Sequence, residues 1–182
     1  MSRAIAMVEY KTVSAGITAA DTMVKTADID ILLSATVCPG KYIVLITGTL
    51  SAVAAAVDAA KARHGMHLID SFVLGNPHED IFPALYGSTE IGDVDALGII
   101  ETYSAPSMIV AADAAAKTAI VQLIEIRLCK GMCGKSYAMI TGEVSAVSAA
   151  IEAAKKSVED TGLFLDSSVI PHPDPKLYSA IL

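Results

Sequence analysis

The residues of this chain best suited to chemistry are three cysteines in two glycine-containing loops. Cys38 stands in Val37-Cys38-Pro39-Gly40-Lys41, and Cys129 and Cys133 stand in LCKGMCGK, residues 128–135. Proline fixes φ and glycine frees it, so the first motif reads as a tight turn between two strands with a thiol held at its tip. Taken alone, such a thiol is most simply a small, partly buried hydrophobe. In a trimer it acquires a second reading. A cubane [4Fe-4S] cluster is threefold symmetric about a body diagonal and accepts one cysteinyl sulfur from each of three chains, leaving the fourth iron to water or another ligand. Cys129 and Cys133 have three residues between them, where a zinc knuckle has two. Cys129 reads as a packed thiol ending a strand, and Cys133, beside Gly134, as lining with Cys38 an opening at the threefold axis that such a trimer would have.

Other candidate chemistry is weaker. GMCGKS, residues 131–136, ends like a phosphate-binding loop, but the first glycine of the required spacing falls on Cys129. The strand-like YAMIT that follows also replaces the helix whose N-terminus would hold the phosphate. His64, His67, His78 and His172 form no metal-binding spacing and read as surface residues. Asp21 and Asp113 each precede a lysine by four residues, which predicts helix-face ion pairs with Lys25 and Lys117. No nucleophile, base and orienting group can be assembled from these motifs, so the chain does not read as an enzyme.

The elements that must position these loops come from an internal repeat. AIAMVE at residues 4–9 recurs as ALGIIE at 96–101, aligning Glu9 with Glu101 at an offset of 92, and Ala20, Asp21, Lys25, Thr26 and Ala27 meet identical residues at that offset. GKYIVLITG at 40–48 matches GKSYAMITG at 134–142, so the second copy carries two extra residues in the cysteine loop. SAVAAAVDAAK at 51–61 matches SAVSAAIEAAK at 145–155, and DSFVLGNP at 70–77 matches DSSVIPHP at 166–173, at an offset of 96. Each copy reads strand, helix, strand, strand, helix, strand and a short terminal segment. This is an α/β (α+β) chain made by tandem duplication of a ferredoxin-like βαββαβ unit, with domains at 1–90 and 91–182 and a turn-rich boundary near Gly87–Asp95. Ile17, Ala20, Val24 and Ala27 mark the apolar face of the first helix, and Ile109, Ala112, Ala116 and Ala119 that of its counterpart. The second helices present Val53, Ala56, Val57 and Ala60, and Val147, Ala150, Ile151 and Ala154. Runs such as Ile29–Leu33 and Tyr42–Thr47 read as buried strands.

The 182 residues are 53% hydrophobic and 18% charged, enough for one sizeable core or two small ones. Thirteen Lys and Arg against 20 Asp and Glu give a net charge of −7, which argues against a nucleic-acid partner. The mean hydropathy of +0.54 with only 5% aromatic residues suggests apolar surface buried in an assembly. The longest uncharged stretch, residues 42–57, is too short and too polar to span a bilayer. Glu9 interrupts the first apolar run before a signal-peptide core can form, so a cytosolic location and no membrane partner are expected. An odd number of cysteines there argues against a disulfide framework.

AMVEYKTVSAGITAADTMVKTA and LGIIETYSAPSMIVAADAAAKTA both resemble the opening of bacterial microcompartment shell domains, and the resemblance covers both copies. Two fused copies resemble the tandem-domain shell proteins, which implies a homotrimer forming a flat pseudohexamer that tiles with hexameric shell proteins in a compartment within the cytoplasm. VCPGK is similar to the pore loop of the iron-sulfur members of propanediol-utilisation compartments. That likeness implies one [4Fe-4S] cluster per trimer, held by Cys38 of three chains, serving electron transfer across the shell or cluster delivery to encapsulated redox enzymes. The pore would be lined by Val37, Cys38, Pro39 and Gly40 with Gly131, Met132, Cys133 and Gly134. Lys25 and Lys117 match the family's tile-edge lysines. Asn76 and His172 stand where the family usually has an edge arginine between prolines, a departure that bears on edge affinity and partner choice. Two alternatives stand beside the cluster: an open pore passing a polar metabolite, and a cytosolic regulatory ring binding a small molecule between subunits.

Overall fold

The computed structural model describes residues 4–92 and 95–181; Asp93 and Val94, inside the expected boundary segment, lie outside the described residues, as do residues 1–3 and Leu182. The first copy runs β1 (Ala4–Tyr10), α1 (Val13–Thr26), β2 (Ile29–Val37), β3 (Lys41–Gly48), α2 (Leu50–His64), β4 (Leu68–Leu74) and α3 (Ile81–Tyr86). The second runs β5 (Ala96–Thr102), α4 (Ala105–Thr118), β6 (Gln122–Arg127), β7 (Ser136–Gly142), α5 (Val144–Val158), β8 (Phe164–Pro171) and α6 (Pro175–Ile181). Two four-stranded sheets result, ordered β2-β3-β1-β4 and β6-β7-β5-β8, with every neighbouring pair antiparallel. That is the ferredoxin-like order, produced twice by one duplicated sequence.

Local chemistry explains where the elements begin. Thr12 and Thr49 are extended and accept the N–H groups of Ala15 and Ala52, capping α1 and α2. β1 is buried along its whole length because β3 and β4 flank it and helices cover it. Val53, Ala56, Val57 and Ala60 of α2, and Val147, Ala150, Ile151 and Ala154 of α5, face the core as their spacing predicts.

Three expectations need correction. The buried face of α1 is Gly16, Ala19, Ala20, Thr22 and Met23, while Ile17 and Val24 point outward; the helix carries two apolar stripes, and only one meets the sheet. In α4 the counterparts Ile109, Ala112 and Ala116 are buried. Ile29–Leu33 is not a buried run, because β2 is an edge strand whose residues are exposed or half-buried up to the buried Val37 at its end. His64 and His78 are half-buried, His64 Nε2 lying 3.0 Å from Thr22 Oγ1 and His78 Nδ1 accepting the Asp80 N–H.

Contacts gather the chain into two units. The first extends to Pro77 and includes Ser104–Ser107 and Leu128–Lys135; the second takes His78–Tyr103, Met108–Arg127 and the chain from Ser136 onward. In the first, β1, β3, α1 and α2 share a core of Ala6, Val8, Met23, Val44, Ile46 and Val57. In the second, α5 lies on β5 and β8, and α3 packs against β6.

Candidate functional site

The first unit holds both cysteine loops. Between β2 and β3 the chain reverses at Cys38-Pro39-Gly40: Gly40 donates its N–H to Val37 O at 2.9 Å and adopts φ +107°, a conformation glycine takes without strain. The Cys38–Pro39 peptide bond is cis. Val37 is buried, Cys38 half-buried, and Pro39 and Gly40 exposed. Leu128–Lys135 lies against this turn, joined by Cys38 N–H donating to Cys129 O at 3.1 Å.

Left-handed backbone shapes that second loop. Cys129, Gly131, Cys133 and Gly134 all have positive φ, and Lys135 N–H closes the turn on Met132 O at 3.1 Å. Gly131 and Cys133 are exposed, Met132 half-buried and Gly134 buried. A Cβ on Gly134 would lie 2.8 Å from Lys41 Cε and 3.0 Å from Cys38 O, so this position needs glycine for space as well as for φ. Cys129 is the packed thiol expected, with its S–H donating to Gly134 O at 3.1 Å, but it does not end a strand: β6 stops at Arg127, and Cys129 is two residues into the loop.

Beneath the turn sits a charge network that the motif reading missed. Lys41, the last residue of VCPGK, pairs with the buried Glu9 and donates to Gly134 O at 3.0 Å. Glu9 also accepts the Ala105 N–H at 2.7 Å. Burial raises the Glu9 carboxyl above its ordinary value, opposed by the Lys41 hydrogen bond and charge and by the Ala105 N–H. Beside it, Asp70 accepts from the Ser104 hydroxyl, from Ser107 N–H at 3.0 Å and from the Ser107 hydroxyl at 2.7 Å. Two carboxylates thus hold the start of α4, the end at which a helix presents unpaired N–H groups and positive dipole. The signal was present in the sequence: a charged residue in an otherwise apolar strand, aligned between copies.

The remaining predicted residues lie elsewhere. Lys25 and Lys117 make the expected helix-face ion pairs, with Asp21 at 2.7 Å and Asp113 at 2.6 Å. Asp113 also accepts the His78 N–H at 2.7 Å. Asn76 is exposed, and His172, at φ +51°, faces Asp95 at 2.9 Å. Among the described residues no three His, Cys, Asp or Glu side chains gather as a metal site. One chain therefore offers Cys38 as a single donor at the turn, with Cys133 exposed on the adjoining loop. No helix among the described residues is long and apolar enough to cross a membrane.

The chain is thus a ferredoxin-like unit repeated twice, with its three cysteines on the β2–β3 and β6–β7 loops. The BMC domain family matches residues 4–77 and again 96–173. The chain belongs to this family and is a bacterial microcompartment shell protein with two BMC domains in tandem. It is 36% identical to the bacterial microcompartment shell protein PduT of Citrobacter freundii, over 98% of this chain and 97% of that one. Its fold is similar to the crystal structure of a microcompartment protein from Desulfitobacterium hafniense DCB, with a TM-score of 0.86 and 42% identity over 98% and 99% of the two chains. The fused permuted hexameric shell protein MSM0275 shares the fold at a TM-score of 0.69 and 21% identity, over 88% and 85% of the chains.

Proposed function

We propose that three copies of this chain form a pseudohexameric shell tile whose central opening carries a [4Fe-4S] cluster, held by one Cys38 from each chain, for passage of electrons or of intact cluster across the shell. The tile is a structural element and not an enzyme, and its edges, with Lys25, Lys117, Asn76 and His172, meet neighbouring hexameric shell proteins.

The observation that carries this reading is the placement of Cys38. Its thiol stands half-buried on a turn whose backbone is fixed by Gly40 N–H on one side and by Cys129 O on the other. A single soft donor with a pre-set position suits a ligand set completed by symmetry, because one thiolate per chain matches the threefold diagonal of a cubane. Cys129 does not compete for iron while its S–H is buried against Gly134 O. When bound, the cluster supplies one-electron chemistry; this chain's residues hold the thiol in place and bound the opening around it.

The test is iron and acid-labile sulfide per trimer in anaerobically purified protein, beside Cys38→Ser. About four of each in the wild type and none in the variant, with both trimeric, is the expected result. No iron in either, with trimers intact, overturns the cluster and leaves an open metabolite pore; loss of the trimer in Cys38→Ser makes the cysteine structural.

A further inference from the structure

The tip of the Cys38 turn has no backbone donor left to offer a sulfur. Cys38 N–H is spent on Cys129 O, Gly40 N–H is spent on Val37 O, and Pro39 has no N–H. Hydrogen bonds to the sulfurs, nearby charge and solvent access together set the potential of an iron–sulfur centre. With the first of these withdrawn from the tip, charge is the influence that the turn retains, and the cation built into it is Lys41.

Lys41 stands between the turn and Glu9. In the β1–β3 ladder Glu9 is paired with Ile43, two residues further from the turn than Lys41. The ammonium group donates to Glu9 and to Gly134 O. Lys41 Nζ and Cys38 O each lie 3.0 Å from the point that a Cβ on Gly134 would occupy, hence within twice that distance of one another. The lysine side chain is 13% exposed and that of Glu9 fully buried, so water and salt screen this charge weakly. Stability alone gives little reason to keep such a pair, because desolvation offsets the attraction and apolar residues of the same shape hold a fold as well.

We infer that Lys41 raises the reduction potential of the cluster held by Cys38, by stabilising the electron that it accepts, and that Glu9, one step further away, holds this effect in check. The inference rests on the cluster reading and says how that site is regulated by the residues beneath it. The electron arrives from a one-electron carrier on one face of the shell and leaves to an acceptor on the other; no bond of Lys41 forms or breaks. Lys41 is thus a positioning residue for charge, acting on the cluster through space while Cys38 makes the bond.

The test is an anaerobic redox titration of the trimer at pH 8, read from the electron paramagnetic resonance signal of the reduced cluster that each protein retains. Lys41→Gln removes the charge and keeps an N–H donor. At the wild-type midpoint its ratio of reduced to oxidised cluster should fall about tenfold, which is about 59 mV for one electron. Lys41→Met should move the midpoint the same way. Glu9→Gln leaves the cation without its counter-charge and should move the midpoint in the opposite direction. A purely structural pair would not separate the variants by sign, since each loosens the same network. Equal midpoints in all the proteins, or shifts of one sign for both positions, overturn the role of Lys41 and leave the cluster standing. A trimeric Lys41→Gln that holds no cluster overturns it as well and makes the pair a structural support. Wild type without a cluster overturns this inference and the cluster reading together.

Discussion

Lys41→Met removes the cation that pairs with Glu9 beneath the Cys38 turn. Lys41 is 13% exposed and Glu9 is fully buried, so water cannot replace the lost partner. Breaking a buried pair from one side costs about 3 kcal/mol or more, because the surviving charge stays in a poorly solvated place. For a chain of this length that lowers the melting midpoint by roughly 6–12 °C. The size should depend on pH, with a definite sign. The folded Glu9 carboxyl already lies above its ordinary value of 4.5 because of burial, so the native state holds that proton more tightly than the unfolded chain. Its contribution to stability is fully present below pH 4.5 and is lost as pH rises through the folded value. Lys41 supplies two of the influences that keep the carboxylate ionised, so removing it raises the folded value further and widens that window. The penalty of Lys41→Met is therefore smallest near pH 5 and grows towards pH 8, at no more than about 1.4 kcal/mol per pH unit. Urea titrations at one protein concentration and both pH values give the numbers. Adding Glu9→Gln should restore at least half of the loss at pH 8, since the amide oxygen can still accept from Ala105 N–H. A penalty below about 1 kcal/mol at pH 8, or one equal at the two pH values, would refute the reasoning.

Other outcomes follow from the same geometry. Gly134→Ala should cost about 1–3 kcal/mol in thermal unfolding, from its left-handed φ and the Cβ contacts at 2.8 and 3.0 Å, and should lower iron content by displacing the Cys38 turn. Asp70→Ala removes the acceptor of the Ser104 and Ser107 hydroxyls and the Ser107 N–H, and should lower stability by about 2 kcal/mol in urea titration. Cys129→Ala should leave the iron-to-sulfide ratio at its wild-type value while Cys38→Ser abolishes both, measured on the same anaerobic preparations.

Much of the fold was legible because it is written twice. The aligned strands around Glu9 and Glu101 and the Ala-rich faces of α2 and α5 define the ferredoxin-like unit without further information. The buried face of α1 was not legible, since Ile17 and Val24 make an apolar stripe as regular as Ala19, Ala20 and Met23, and periodicity alone cannot say which stripe meets a sheet. β2 misled for a related reason: its composition is that of an interior strand, and its place at the sheet edge is set by pairing order. At the candidate site VCPGK was conspicuous, but Lys41 reaches Glu9 across 32 residues and Gly134 across 93, separations that no local spacing encodes. The hydrogen bond from Cys38 to Cys129 O, which joins the turn to the other loop, likewise belongs to tertiary packing.

Native mass spectrometry of the anaerobically purified protein tests the central claim most directly, since it weighs assembly and cofactor together. The account predicts three chains plus the mass of one [4Fe-4S] cluster, and three chains alone for Cys38→Ser. Three wild-type chains with no added mass, or cluster mass carried by a single chain, would contradict it.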